Sequence, residues 1–429
     1  MNQDLTTQIH EIGRSARAAS RVLASTSSST KNSALLAMAE ELLHQSPAIL
    51  DANNRDLTAG RQKNLSESML DRLRLDEKRV FSMVEGIRRA ASLPDPVGRI
   101  LHSWNKENGL NFQKISVPIG VIGIIYESRP NVTSDAAILC LKAGNAVILR
   151  GGSEAIHSNI AINASLQKGA VGAGLPAEAI QLIPVTGRDA VRILCEMDEF
   201  LDCIVPRGGK GLIENVVSHA RMPVIKHYEG LCAVYVDKEA DLSMAREITL
   251  NAKCQRPGVC NAAETLLLHR KIAAAFLNDG GMSLLKEGVE LRCDHNTLSL
   301  FPPALLNLYS SQVRTASKED FLTEFLAPVL AVKTVESLDE AITHIDAHGS
   351  HHSDAIVTAD TKAAERFLQE VDSATVYWNA STRFTDGGEF GFGCEIGIST
   401  EKLHARGPMG LEELTSYKYM IRGNGQIRC

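Results

Sequence analysis

Residues 119–153 read IGVIGIIYESRPNVTSDAAILCLKAGNAVILRGGS. Residues 121–125 are a short apolar run, 127–131 a loop, 134–142 a helix and 146–149 a second apolar run, followed by Gly151-Gly152. Residues 179–184 and 201–205 continue the rhythm, and the second of these runs into Arg207-Gly208-Gly209-Lys210-Gly211. Short apolar strands alternating with helices predict a parallel sheet with helices on both faces. Ligands of such sheets sit at the carboxyl ends of the strands. Those ends carry Arg150-Gly151-Gly152-Ser153 and Arg207-Gly208-Gly209. Glycine lets backbone approach a phosphate, and a helix N-terminus favours an anion. The dinucleotide fingerprint G-x-G-x-x-G is absent, and a Gly-Gly pair also serves a plain tight turn.

Upstream, residues 1–95 read as helices, with apolar residues at helical spacing over 33–43 and 80–90. The stretch Asp51-Ala52-Asn53-Asn54-Arg55-Asp56 reads as a loop. Pro94-Asp95-Pro96 ends the layer. Residues 97–113 then cross a polar tip, Asn105-Lys106-Glu107-Asn108-Gly109, a hairpin signal. Pairing with another subunit and a plain surface hairpin both remain open for it. Downstream, residues 226–395 form a second α/β unit, with strands at 233–236, 265–268, 329–333, 355–358 and 375–378. Residues 416–426 read as a terminal strand and tail.

One cysteine stands apart. Cys260, in Gln255-Arg256-Pro257-Gly258-Val259-Cys260-Asn261, follows Pro-Gly and so lies past a turn. Arg256 is adjacent and Lys253 upstream, and a nearby cation favours the nucleophilic thiolate. A buried structural thiol is the competing reading. The chain has nine cysteines, an odd number that excludes complete pairing, and no C-x-x-C. That pattern fits a reducing cytoplasm. A length of 429 residues predicts two or more domains. A net charge of −6 gives no reason to expect nucleic acid, and no window of about 20 residues is apolar enough for a membrane.

Several motifs resemble the aldehyde dehydrogenase superfamily: Val117-Pro118-Ile119-Gly120-Val121-Ile122-Gly123, Gly144-Asn145 before a strand, Cys260, and Glu324-Phe325-Leu326-Ala327-Pro328-Val329. Within it the chain resembles the γ-glutamyl phosphate reductase family. That likeness rests on Tyr126-Glu127-Ser128-Arg129-Pro130-Asn131, the Cys260 stretch, Phe390-Gly391-Phe392-Gly393, and the segment 335–356 with His344, His348, His351 and His352. The resemblance implies an aldehyde dehydrogenase-like α/β fold with two Rossmann-like parallel-sheet domains and a small oligomerisation hairpin. Residues 1–96 and 118–225 would bind cofactor, and 226–395 would carry the nucleophile. Residues 97–117 and 411–429 would form the hairpin and C-terminal strand of a homo-oligomer.

The resemblance also implies a reaction. γ-Glutamyl phosphate and a nicotinamide hydride would give glutamate 5-semialdehyde and phosphate through a thioester on Cys260, in proline biosynthesis. Arg256 is the leading cation for the substrate, with Arg129, Asn131, Asn379 and Arg383 as further candidates. Arg150, Ser153, Gly208, Gly209 and Glu324 are the cofactor candidates. A cation at Arg150 without an acid at Ser153 suits the 2′-phosphate of NADPH, although Glu154 is adjacent. No metal is expected at the histidines. A separate kinase, glutamate 5-kinase, would supply the acyl phosphate and could contact this protein transiently. Cys140, Cys195, Cys203 and Cys232 are expected to tolerate alanine at a packing cost only.

Two other readings compete: a hydrolytic aldehyde dehydrogenase, and a catalytically silent nucleotide-binding or structural α/β protein. Hydrolytic members carry a glutamate about 33 to 34 residues before the nucleophile. The same count here lands on Lys226-His227-Tyr228, with His227 in register. Glu229 is two positions on, the same face of the strand expected here, so a base in that register stays open, although the expectation is that no side chain activates water.

Overall fold

The computed structural model describes residues 3–226 and 228–428. His227, the residue in register for a hydrolytic base, lies outside them. The chain divides into two compact units, Met1–Lys226 with Gly391–Gly397 and Pro408–Cys429, and His227–Phe390 with Ile398–Gly407.

The first unit opens with helices α1 (Gln3–Leu23), α2 (Ser28–His44), α3 (Ser46–Gln62), α4 (Glu67–Leu73) and α5 (Glu77–Ser92). In α5, Asp76 caps the N-terminus, and Val80, Met83, Val84, Ile87, Ala90 and Ala91 form the buried stripe. The expected loop at Asp51–Asp56 is instead the middle of α3. Two of its polar residues, Asn53 and Asp56, face inward. The Asn53 amide donates to the Leu73 carbonyl at 2.8 Å and accepts from the Leu75 N–H at 2.8 Å. The Asp56 carboxylate accepts from the Ser158 N–H at 2.8 Å and the Ser158 hydroxyl at 2.6 Å, which satisfies the first turn of a later helix. Polarity here marks a buried helix-to-helix cap.

Next come β1 (Ile100–Asn105) and β2 (Asn111–Pro118), an antiparallel hairpin. The C-terminal strand Thr415–Arg422 pairs antiparallel with β2, giving a three-stranded sheet. Then follow β3 (Val121–Tyr126), α6 (Asn131–Lys142), β4 (Ala146–Arg150), α7 (Ile156–Gly172), β5 (Ile180–Leu182), α8 (Arg188–Cys195), β6 (Cys203–Arg207) and α9 (Lys210–His219). The parallel sheet has the order β5-β4-β3-β6. Every residue of β3 and β4 is buried, so both strands read as continuous apolar runs. Helix α7 meets α2 at backbone range: a Cβ on Gly169 would lie 2.5 Å from the Met38 Cα.

The second unit is a seven-stranded parallel sheet. Its strands are β7 (Cys232–Val236), β8 (Ala263–His269), β9 (Glu290–Cys293), β10 (Val313–Thr315), β11 (Val329–Val335), β12 (Ser353–Val357) and β13 (Thr375–Trp378), in the order β10-β9-β11-β8-β7-β12-β13. Successive residues feed opposite faces. Val234, Val236, Leu266, Leu268 and Val357 pack on one side with α10 (Leu242–Cys254). Ala233, Tyr235, Leu267 and Ile356 pack on the other with Ile345 and Phe367. The sequence reading missed β9 and β10, the short strands at one edge. Among the described residues no helix is long and apolar enough to cross a membrane.

Candidate active site

Cys260 lies in the turn between α10 and β8, at the amino end of the second sheet. It is half-buried. The turn is gripped from two directions. From one, the Asn261 amide donates to the Thr385 carbonyl at 2.8 Å, and the Thr382 hydroxyl donates to the Asn261 carbonyl at 2.7 Å. From the other, residues 230–232 press on its backbone. A Cβ on Gly230 would lie 2.5 Å from the Cys260 Cα, and the Cys232 thiol donates to the Cys260 carbonyl at 3.2 Å.

The cation built into this turn is Arg383. Its Nε donates to the Gln255 side-chain oxygen at 2.8 Å, and its guanidinium also donates to the Asn261 side-chain oxygen. It therefore bridges residues on both sides of Cys260. Burial, then repulsion from Arg256, pull its pKa down, while Asp386 and Cys260 oppose them. Arg256, the leading candidate from sequence, is exposed. Lys253 is fully buried against Glu264 at 2.6 Å. Burial pushes the Glu264 carboxyl up to about 7, with Lys253 pulling the other way.

Glu324 accepts from the Gly230 N–H at 3.0 Å, one residue-to-residue step from Cys260. Burial raises its pKa, and Glu229 repels it further. Asn379 is elsewhere. Its amide bonds the Thr358 N–H and carbonyl at 2.9 and 3.0 Å, at the carboxyl end of β12, whereas Cys260 lies at the amino end of the sheet. Residues 228–231 form no strand, so the alternation that would align Glu229 with a base position does not apply.

In the first unit the loops after β3, β4 and β6 are stitched together. The Glu127 carboxylate accepts from the Gly209 N–H at 2.9 Å and so occupies the N-terminus of α9, where an anion was expected. Ser128, with φ 48°, donates its N–H to Glu154 at 2.6 Å and its hydroxyl at 2.9 Å. Ser153 is exposed at the start of a short 3-10 turn. Arg150 is only 8% exposed, and its guanidinium donates to the Thr186 carbonyl at 2.8 Å. A direct 2′-phosphate contact, expected from its sequence position, is not what this buried side chain presents. Arg129 is half-buried in the β3–α6 loop. Asn131 begins α6 and donates to Asp135 at 2.8 Å. Burial lifts the Asp135 carboxyl to about 6, against Asn131, Arg207 and Arg89.

The four histidines disperse. His344 and His348 stack at 4.3 Å, and His352 is buried beside Cys232. Among the described residues no cluster of three or more His, Cys, Asp or Glu is placed to hold a metal ion. Gly230, Glu264 and Asp135 carried no assignment from sequence, and Cys232 was read only as a packing residue. The Glu at position 264, inside an apolar strand, was the one local signal.

The sequence profile described as the aldehyde dehydrogenase family matches residues 2–280 and 277–420. The chain belongs to the aldehyde dehydrogenase family. A γ-glutamyl phosphate reductase of Moorella thermoacetica is 53% identical over 98% of this chain and 99% of that protein. One of Caldanaerobacter subterraneus subsp. tengcongensis is 54% identical over 97% of this chain and 98% of that protein. The crystal structure of the Thermotoga maritima γ-glutamyl phosphate reductase superposes with TM-score 0.93 at 43% identity, covering 97% of this chain and 99% of that one. Within the family, then, the chain stands among the γ-glutamyl phosphate reductases, oxidoreductases acting on an aldehyde group.

Proposed function

We propose that the protein reduces γ-glutamyl phosphate to glutamate 5-semialdehyde and phosphate, with Cys260 as nucleophile and NADPH as cofactor, in proline biosynthesis. The observation that carries the reading is the bridge of Arg383 across Gln255 and Asn261, which sets a cation beside a half-buried cysteine. A cation there holds the sulfur as thiolate. The thiolate attacks the acyl carbonyl, and phosphate departs without a proton, leaving a thioester. The Cys260 N–H is the candidate donor to the developing oxyanion. The nicotinamide cofactor supplies the hydride when bound.

Ser153 and the Gly208-Gly209 turn are the residues proposed to hold the cofactor, with Arg150 bracing the loop at 186–187 and Glu324 on the nicotinamide ribose. One observation supports the 2′-phosphate form. Glu154, the carboxylate next to Ser153 that would repel it, is engaged with Ser128. Arg256, Arg383, Arg129 and Asn131 are proposed for substrate, and Asn379 is given no such role. The three-stranded sheet leaves Ile100, Leu101, Tyr417, Tyr419 and Ile421 at least half exposed, which supports its pairing with a second copy of the chain. The test of the catalytic reading is replacement of Cys260 by alanine. Loss of reduction with the fold intact is expected, and retained turnover refutes the nucleophile.

A further inference from the structure

Cys232 lies 28 residues before Cys260, at the first position of β7. It is fully buried. Its thiol donates to the Cys260 carbonyl oxygen at 3.2 Å, and its sulfur lies 3.6 Å from His352 Nδ1. His352 Nδ1 in turn bonds the Ser353 hydroxyl at 2.8 Å. Ser353 continues to Thr375 and Thr385, both at 2.7 Å. Thr385 is the residue whose carbonyl takes the Asn261 amide. The network thus closes on itself: it leaves the nucleophile turn through the Cys260 carbonyl and returns through the Asn261 side chain.

We propose that Cys232 is a positioning residue for the nucleophile, with His352 and the Ser353–Thr375–Thr385 hydroxyls behind it. The inference rests on Cys260 being that nucleophile. The Cys260 carbonyl shares its peptide plane with the Asn261 N–H, so the Cys232 thiol fixes the orientation of that plane. Arg383 is tied to the Asn261 side chain on the same residue. A rotation of the plane moves the sulfur relative to its cation. Burial pushes the Cys232 thiol far up, so it stays a donor at any working pH. A sulfur of this kind is a weak donor, but it is the contact that ties the Cys260 carbonyl to β7. The proposal departs from the sequence expectation that Cys232→Ala costs only packing.

The test uses the full-length protein and three variants. Cys232→Ala removes the donor, Cys232→Ser keeps one, and Cys260→Ala controls the underlying reading. Semialdehyde oxidation with NADP⁺ and phosphate gives kcat and KM. Iodoacetamide labelling of the Cys260 peptide, followed by mass spectrometry across pH, gives its thiolate midpoint. For Cys232→Ala we expect kcat to fall about tenfold with KM nearly unchanged, and the Cys260 midpoint to move up. Cys232→Ser should recover most of both. A Cys232→Ala protein with a lowered melting temperature but wild-type kcat and labelling midpoint overturns the proposal and leaves only packing. Turnover by Cys260→Ala would instead refute the nucleophile assignment itself.

Discussion

Gly230 faces the backbone of Cys260 with no room for a side chain: a Cβ would lie 2.5 Å from the Cys260 Cα and carbonyl carbon and 1.9 Å from its carbonyl oxygen. The obstruction is main chain, which cannot swing aside as a long side chain can. Gly230→Ala should therefore displace the nucleophile. A shift of about 1 Å at a reacting centre costs on the order of 100-fold. We expect that loss in kcat/KM with the unfolding midpoint little changed, and an alanine variant within about threefold of wild type would show that the turn adapts.

Arg383 should not be replaceable by lysine. A guanidinium reaches Gln255 and Asn261 together, whereas an ammonium is a single point charge on a flexible stem. Arg383→Ala is expected to lower kcat/KM by about 100-fold or more, with Arg383→Lys recovering little of it. Labelling of Cys260 across pH should show the thiolate midpoint rising in both variants. An unchanged midpoint would remove Arg383 as the cation that activates the sulfur.

Stability should depend on pH through His344. Burial, then repulsion from His348 and Lys333, hold its pKa down at about 3. The folded protein thus keeps His344 neutral while the unfolded chain protonates near pH 6.5. A depressed folded pKa means stability that is present above pH 6.5 and lost as pH falls below it. The loss approaches about 1.4 kcal/mol per pH unit at its steepest. Between pH 7.5 and 5.5 the wild type should lose about 1 kcal/mol more in urea unfolding than His344→Phe. Parallel losses in the two proteins would contradict the buried neutral imidazole.

Much of this fold is legible in the sequence, and the failures have physical causes. β7, β8, β11 and β12 read as apolar runs because both faces of these inner strands are covered. β9 and β10 carry Glu290, Arg292 and Arg314 in runs of four and three residues at the sheet edge, too short and too polar to stand out. Asn53 and Asp56 look like loop residues because their partners, Leu73, Leu75 and Ser158, come later in the chain. Cys260 was visible from its turn. Cys232 was not, since nothing local to β7 announces a contact with a residue 28 positions on. Arg150 is a similar case: its position at a strand end is legible, its burial is not.

The Asp56 contact makes a prediction about stability alone. Asp56→Ala leaves the Ser158 hydroxyl and two N–H groups at the start of α7 without their acceptor. A lost cap together with buried unsatisfied donors should cost about 2–3 kcal/mol. Urea unfolding should show that loss, and kcat per folded enzyme should remain at the wild-type level. A cost below about 0.5 kcal/mol would mean that α7 finds another cap.

In the proposed mechanism Cys260 carries an acyl thioester that phosphate, and not water, resolves. The direct measurement is NADPH formation from glutamate 5-semialdehyde and NADP⁺ in phosphate-free buffer, followed by addition of phosphate. At most about one equivalent of NADPH per site is expected, then a stall, then sustained turnover once phosphate is present. Sustained turnover without phosphate would contradict it, because some side chain would then be activating water against the thioester.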